Sequence, residues 1–364
     1  MLLLTCLFSA SLLMTQVNFS SDKEPKKARL ARLQQSPNFK DGKFQNQTRT
    51  EMMAENASFW KIMKDRFSSD VVKSPEEAIP VIKRDLTQPV LSEKLQFTWF
   101  GHSSFLLQWQ GKNILVDPVF SKRTSPFQFL GPKNFLGTDV YQVEDLPAID
   151  FILISHDHYD HLDRKTIEKL AKKVKQFYVP LGVGAHLQDW GIPQENIKEL
   201  DWWNEVQITP ELFLAATPAR HFSGRSLTDR NETLWTSYVL KSRDQSIYLG
   251  GDSGYGEHFK QIGEKYGPFD ITMLECGQYN TNWPSIHMMP EETAQAHLDL
   301  KGKVLMPIHW SKFALALHAW TEPIERLLAE TEKQGIVVTT PQIGELVQLD
   351  KPATQSHWWQ QKSK

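Results

Sequence analysis

The run Phe151-Ile152-Leu153-Ile154-Ser155-His156-Asp157-His158-Tyr159-Asp160-His161-Leu162-Asp163 opens with four apolar residues and closes on three histidines and three aspartates. The apolar half, with two β-branched isoleucines, predicts a buried strand. In an extended backbone His156 and His158 alternate with Asp157, so both imidazoles leave on one side. Asp160 and His161 follow where the chain can turn and present a second ligand pair. Imidazole suits zinc, and a carboxylate beside it suits zinc, manganese or iron. The spacing predicts two adjacent metal sites built on one strand-to-helix turn. A polar N-cap turn with coincidental histidines is the competing reading, but clustered imidazoles and carboxylates are costly without a cation between them.

The same grammar recurs along the chain. An apolar strand over 212–217 delivers His221, one over 246–250 delivers Asp252, and one over 304–308 delivers His309. Residues at strand ends stand on rigid supports while loops shape the pocket. Read singly, His221 is a loop histidine and His309 a core histidine bonded to backbone. Read beside the His156 cluster, both are metal ligands. Asp117 closes the strand over 114–116 and is either a turn carboxylate or a group that orients a ligand histidine. His102, after Gly101, is a second candidate for that supporting role, whereas His186, His258, His297, His318 and His357 read as surface or packing residues.

His-x-His-x-Asp-His at 156–161 resembles the signature of the metallo-β-lactamase superfamily. Further pieces resemble the zinc phospholipases D that hydrolyse N-acyl-phosphatidylethanolamine, and their bacterial relatives. They are Trp99-Phe100-Gly101-His102, Asp117-Pro118-Val119-Phe120, Gly131-Pro132-Lys133, Glu199-Leu200-Asp201-Trp202-Trp203, Gly251-Asp252-Ser253-Gly254-Tyr255 and Ile308-His309-Trp310, within a likeness over 39–349. The resemblance implies an α+β four-layer αββα sandwich, the metallo-β-lactamase fold, with two mixed sheets face to face and helices outside both. It implies that His156, His158 and His221 hold a first zinc ion and Asp160, His161 and His309 a second, with Asp252 bridging them. Two Zn2+ per chain are therefore expected, other divalent transition metals being alternatives.

Water shared by such a pair has a pKa of about 7. The implied reaction is phosphodiester hydrolysis of the phospholipase D type, from N-acyl-phosphatidylethanolamine to an N-acylethanolamine and a phosphatidic acid. Asp160, Asp252 and His287 are the expected catalytic residues. His287, in Pro284-Ser285-Ile286-His287-Met288, matches a histidine near the metals in that branch, with a structural loop histidine as the alternative. Arg220 and Arg225, on either side of His221, join His287 as candidate substrate contacts for phosphate. A related hydrolase of lactones, phosphorylated sugars or other phosphodiesters is the competing enzyme. A non-catalytic metal- or lipid-binding module is the competing non-enzyme, and an open two-metal ligand set argues against it.

The 364 residues are 40% hydrophobic and 23% charged, with a formal charge of −2. That supports a sizeable core and leaves no electrostatic footprint for nucleic acid. Twelve tryptophans predict a Trp-rich core, with an exposed aromatic surface as the alternative. Cys6 and Cys276 imply no disulfide framework. Residues 1–20 read as a signal-like or membrane-anchoring segment, because 1–17 are apolar yet lack a preceding positive region. Residues 21–94 read as a linker and helical extension, 95–350 as the hydrolase domain, and 351–364 as a C-terminal tail.

Inside the extension, 20–46 read as a polar arm. Phe59, Trp60, Ile62, Met63 and Phe67 form the apolar cluster of a short docking helix, and Ser74-Pro75-Glu76-Glu77 starts a helix to about Leu86. Residues 122–145 read as a long loop, 165–175 as a helix, and 336–338 with 345–349 as a closing strand pair. The expected partner is membrane phospholipid met by peripheral apolar contact, at a membrane-associated or exported location. A homodimer is left open.

Overall fold

The computed structural model describes residues 24–88, 93–351 and 355–360; the signal-like segment 1–17 lies outside them. Two seven-stranded sheets carry the fold. The first runs Leu346–Gln348, Gln96–Trp99, Phe105–Trp109, Lys112–Val116, Ile149–Leu153, Val174–Pro180 and Ile197–Leu200, antiparallel at its start and parallel from Lys112–Val116 onward. The second runs Val337–Val338, Gly302–Ile308, Phe269–Glu275, Ser246–Leu249, Ser237–Lys241, Leu212–Thr217 and Glu205–Thr209, parallel first and antiparallel after Ser246–Leu249. Parallel neighbours need crossovers, and the helices Arg164–Leu170, His258–Tyr266 and Pro290–Asp299 lie in such crossovers.

The layers follow from the period of two along each strand. Phe105, Leu107 and Trp109 enter the core shared with Leu214, Val239 and Tyr248 of the other sheet. Leu106, between them, faces the opposite way into a second core with Ile152, Ile167 and Leu187. Ile167 and Leu187 sit on the helices Arg164–Leu170 and Gly184–Asp189, so one face of the sheet packs on a sheet and the other on helices. The tryptophans are mostly core: Trp99, Trp109, Trp235, Trp310 and Trp358 are under 2% exposed.

The docking helix forms at Phe59–Ser68, capped by the Ser58 side chain, but five other local readings give way. Residues 74–86 form no helix, because Pro80 disfavours the helical conformation at Ile79. The N–H groups of Ile79 and Ile82 instead donate to Leu136 O at 3.0 Å and Ile343 O at 2.8 Å. The polar arm contains the helix Lys26–Leu33 and the hairpin Phe39–Lys40 with Lys43–Phe44, and it buries Phe44 completely. The helix expected over 165–175 is Arg164–Leu170, since Val174 is buried and pairs with Ile149. The two closing strands do not pair: Val337–Val338 joins Gly302–Ile308 and Leu346–Gln348 joins Gln96–Trp99. The tail is anchored too, with the Trp358 ring 5.3 Å from that of Trp310.

One buried histidine away from the strand-end cluster predicts how the fold responds to acid. His297 sits against Thr272 at 2.7 Å, and burial lowers its pKa from 6.5 to about 4. Between those values the unfolded chain binds a proton that the folded chain refuses, so acidification through that window destabilises the fold. Melting temperature is expected to fall as pH drops through it, and His297→Gln is expected to flatten the fall. An identical pH slope in the variant would remove His297 from the balance.

Candidate metal centre

Adjacent parallel strands build the first half of the centre. The strand Ile149–Leu153 runs on to Ser155 and His156, while its neighbour Lys112–Val116 ends on Asp117. Asp117 takes the Ser155 N–H on Oδ1 at 2.7 Å and the Ser155 hydroxyl on Oδ2 at 2.6 Å, which locks the strand end. Past it the chain tightens: the N–H groups of His161 and Leu162 both donate to His158 O. That turn swings Asp160 and His161 back over the strand. Gly251, at φ +59°, lets Asp252 enter from the other sheet; a Cβ there would meet Ser155 Cβ at 2.8 Å. His102, Asp117 and His309 are also left-handed without being glycine, a strain that persists only where surroundings over-determine it.

The expected ligands come together as two clusters. Ligand atoms of His156, His158 and His221 lie within 4.8 Å of one another, as do those of His102, Asp160, His161 and His309. Asp252 stands between them. Its Oδ2 is 3.2 Å from Nε2 of both His161 and His309, and 3.8 Å from Nε2 of both His156 and His221. Asp117 Oδ2 takes the Nδ1 proton of His161 at 2.9 Å, and Ile286 O takes that of His221 at 2.8 Å. Nε2 is then the atom each ring has left for a cation. His102 Nε2 meets Asp160 Oδ2 at 2.8 Å, so His102 and Asp117 both orient ligand side chains.

Charge decides what this arrangement will hold. Burial keeps His156 and His221 well below the usual imidazole range and lowers His158, so this cluster is neutral and ready to ligate. Burial opposes ionisation of Asp160 and Asp252, yet His161 beside them holds both well below the carboxylate range. Against burial, Asp252 and Asp160 hold His161 well above 6.5 and raise His309 to about 10. Two ionised carboxylates at this depth require positive charge among them. His161 Nε2 and Asp252 Oδ1 are buried without hydrogen-bond partners, although the nitrogen faces Asp252 Oδ2 at 3.2 Å. Such orphaned donor atoms, all imidazole nitrogen or carboxylate oxygen, fit a divalent transition metal.

Other residues divide by what they touch. The rings of His287 and His221 are 5.1 Å apart and those of His287 and His309 5.2 Å apart, so His287 lies beside the clusters. Its Nδ1 is held by Glu275 Oε2 at 2.6 Å, and the same oxygen lies 3.4 Å from His309 Nδ1. Glu275 was not anticipated, although it closes an apolar strand much as Asp252 follows one. Asn46 was also missed: its side chain bonds both the N–H and the carbonyl of His221, at 3.0 and 2.7 Å. Polar loop composition gives no signal for that clamp.

Arg220 and Arg225 depart from the expectation of phosphate contacts. Arg220 donates to Tyr255 O at 3.0 Å and Thr50 Oγ1 at 3.1 Å. Arg225 donates to the carbonyls of Asp157 and Leu162 and lies over the Tyr159 ring at 4.1 Å. Backbone carbonyls left unpaired by the metal turn and its neighbouring loops claim these guanidiniums.

Comparison with known proteins agrees with the geometry. Residues 112–310 match the beta-lactamase superfamily domain. Over 331 residues the chain is 44% identical to an uncharacterised protein of Mycobacterium tuberculosis, across 90% of this chain and 88% of that one. It is 32% identical over 242 residues to the N-acyl-phosphatidylethanolamine-hydrolyzing phospholipase D 1 of Caenorhabditis elegans, across 63% of this chain and 68% of that one. Among solved structures, Igni18, a metallo hydrolase from Ignicoccus hospitalis, aligns with a TM-score of 0.54 at 22% identity, over 70% of this chain and 97% of that one. At that identity the likeness speaks for the fold alone. The matched span opens on the strand before Asp117 and closes just past His309, so it takes in every expected ligand from His156 to His309, with His102 just outside it. By fold, by ligand geometry and by descent, the chain belongs to the metallo-β-lactamase superfamily of metal-dependent hydrolases.

Proposed function

We propose that the chain is a dinuclear zinc phosphodiesterase of the phospholipase D type, splitting N-acyl-phosphatidylethanolamine into an N-acylethanolamine and a phosphatidic acid. The observation that carries it is the position of Asp252, whose single Oδ2 lies within 3.8 Å of four ligand imidazoles, two from each cluster. His156, His158 and His221 would hold one ion, Asp160, His161 and His309 the other, and Asp252 would serve both. Bound there, two divalent ions supply the Lewis acidity that activates water near neutral pH and offsets charge on a phosphate. The lipid part of the reading rests on similarity to the nematode phospholipase D.

The chain's own groups do the rest. Asp117 and the Ile286 carbonyl fix the tautomers of His161 and His221. Breaking the bond from phosphorus to the ethanolamine oxygen leaves an alkoxide that needs a proton. His287 passes it on from Nε2, having taken it from the attacking water, while the Glu275 carboxylate holds the proton on Nδ1.

Mass spectrometry of products from mixed membrane lipids is expected to show both halves of the substrate. Turnover of lactones or sugar phosphates alone would assign a different hydrolase to the same centre. Elemental analysis is expected to give two zinc ions per chain, and one or fewer would break the shared role of Asp252.

A diacyl substrate is met at a bilayer. Trp60 and Phe67 on the helix Phe59–Ser68 are 80% and 79% exposed, whereas Ile62 and Met63 are half-buried. Arg66 ties that helix beside the centre by donating to the carbonyls of Ala314 and Leu315, in the loop after His309. No helix among the described residues is long and apolar enough to cross a membrane. Trp60→Glu is expected to weaken vesicle binding several-fold with metal content unchanged. Binding equal to wild type would take the helix out of the contact.

A further inference from the structure

The loop over 122–136 exposes Phe127, Phe129 and Leu130 by 55, 81 and 63%, with the two rings 5.5 Å apart. Contiguous exposed side chains of that size mark a place where something apolar binds. The loop is built to hold them out. Phe135 N donates to Lys312 O at 2.8 Å, Asn134 N to Lys122 O at 2.9 Å, and the Arg123 guanidinium to Gly131 O. Its base is therefore pinned to the segment that follows His309, while its tip projects.

Beside the tip opens a cavity of about 450 Å³, whose charged walls are Arg123, Arg164, Lys165 and Arg225 against Asp163 and Glu168. Glu168 pairs with Arg164, and the remaining carboxylate, Asp163, stands against Arg123, Lys165 and Arg225, so the cations outnumber the carboxylates. The cavity is left cationic, a local excess that the whole-chain charge of −2 conceals. Tyr159, in the metal turn, is one of its walls. An apolar tip and a cationic shoulder, walled in part by Tyr159 of the metal turn, thus occupy one stretch of surface.

We propose that this loop and its cavity dock the chain on bilayers of anionic phospholipid. Phe127, Phe129 and Leu130 enter the acyl region while Lys165, backed by the net positive charge of the cavity, meets headgroup phosphates. Apolar side chains alone would suit any apolar partner. The adjoining cations select a surface that offers negative charge just above hydrocarbon, which is the order of layers in an anionic leaflet. The proposal rests on the lipid-hydrolase reading and extends it from a substrate to the membrane that presents it.

Sedimentation of the full, metal-loaded chain with vesicles tests it, using phosphatidylcholine alone and phosphatidylcholine mixed with phosphatidylglycerol. Binding to the anionic vesicles is expected to be roughly tenfold tighter at low salt, with the difference closing at about 0.5 M salt. The pair Phe127→Ser and Phe129→Ser is expected to weaken binding to both vesicles, and Lys165→Glu to erase the preference. Bound metal and melting temperature are expected to stay at wild-type values, which separates docking from folding. Equal affinity for the two vesicles overturns the proposal, as does undiminished binding of the serine variant. So does a serine variant that merely dissolves a dimer, since the patch is then a face between copies. Hydrolysis of detergent-dispersed lipid reads the reaction separately: vesicle binding as expected without hydrolysis upholds docking and overturns the phospholipase reading.

Discussion

Asp252→Asn is expected to strip metal from the centre and lower turnover about 10²-fold or more, beyond the 10–100-fold typical of outer supporting residues. The volume is conserved, so the effect reads charge alone. Oδ2 of Asp252 faces four imidazole nitrogens and Oδ1 has no hydrogen-bond partner, which is a poor setting for an amide and a good one for cations. The amide would also relieve His161 and His309 of a carboxylate that keeps them protonated in the metal-free chain. Elemental analysis with a parallel thermal melt checks the prediction. Full metal content and wild-type turnover in a folded variant would take Asp252 out of the centre.

His287→Ala is expected to leave metal bound and to lower turnover by about 10²–10⁴-fold, the range for a positioned acid or base. Its imidazole stands beside both clusters but outside the ligand set, stacked 5.2 Å from the His309 ring. Glu275 holds it at 2.6 Å and is itself fixed by the Ser253 N–H at 2.6 Å, so the pair is rigid. If Glu275 acts through His287, the double variant Glu275→Gln with His287→Ala should turn over no more slowly than His287→Ala alone. Additive losses would give Glu275 a separate task, through its contact with His309. Loss of a metal ion on His287→Ala would make the histidine a ligand, and unchanged turnover would make it a packing residue.

Much of the fold was legible because its signals are local. The strand Leu212–Thr217 and the helices Pro290–Asp299 and Glu322–Gln334 announce themselves by period and by proline at their first turns. Strand alternation depends on neighbouring residues, and so does a run of imidazoles and carboxylates placed where a strand stops. That is why His156, His158, Asp160, His161, His221, Asp252 and His309 could be picked out as candidates from the chain alone, and the structure brings their side chains together. What failed depended on partners distant in sequence. Residues 74–86 satisfy helix-start rules, but their N–H groups find Leu136 and Ile343, and Pro80 closes the helical option. Residues 351–364 read as a C-terminal tail until Trp310 offers Trp358 a ring to pack on.

The same division runs through the centre. The sequence alone determined which side chains can ligate, since that is a property of residue type and of strand ends. Only the tertiary structure decided what holds and surrounds them. Asn46 reaches His221 across 175 positions, Arg225 reaches Leu162 across 63, and His102 reaches Asp160 across 58. Hydrogen bonds and ion pairs act over about 3–4 Å. A polar side chain's role is therefore set by whichever elements the two sheets bring within that distance, wherever those elements fall in the chain.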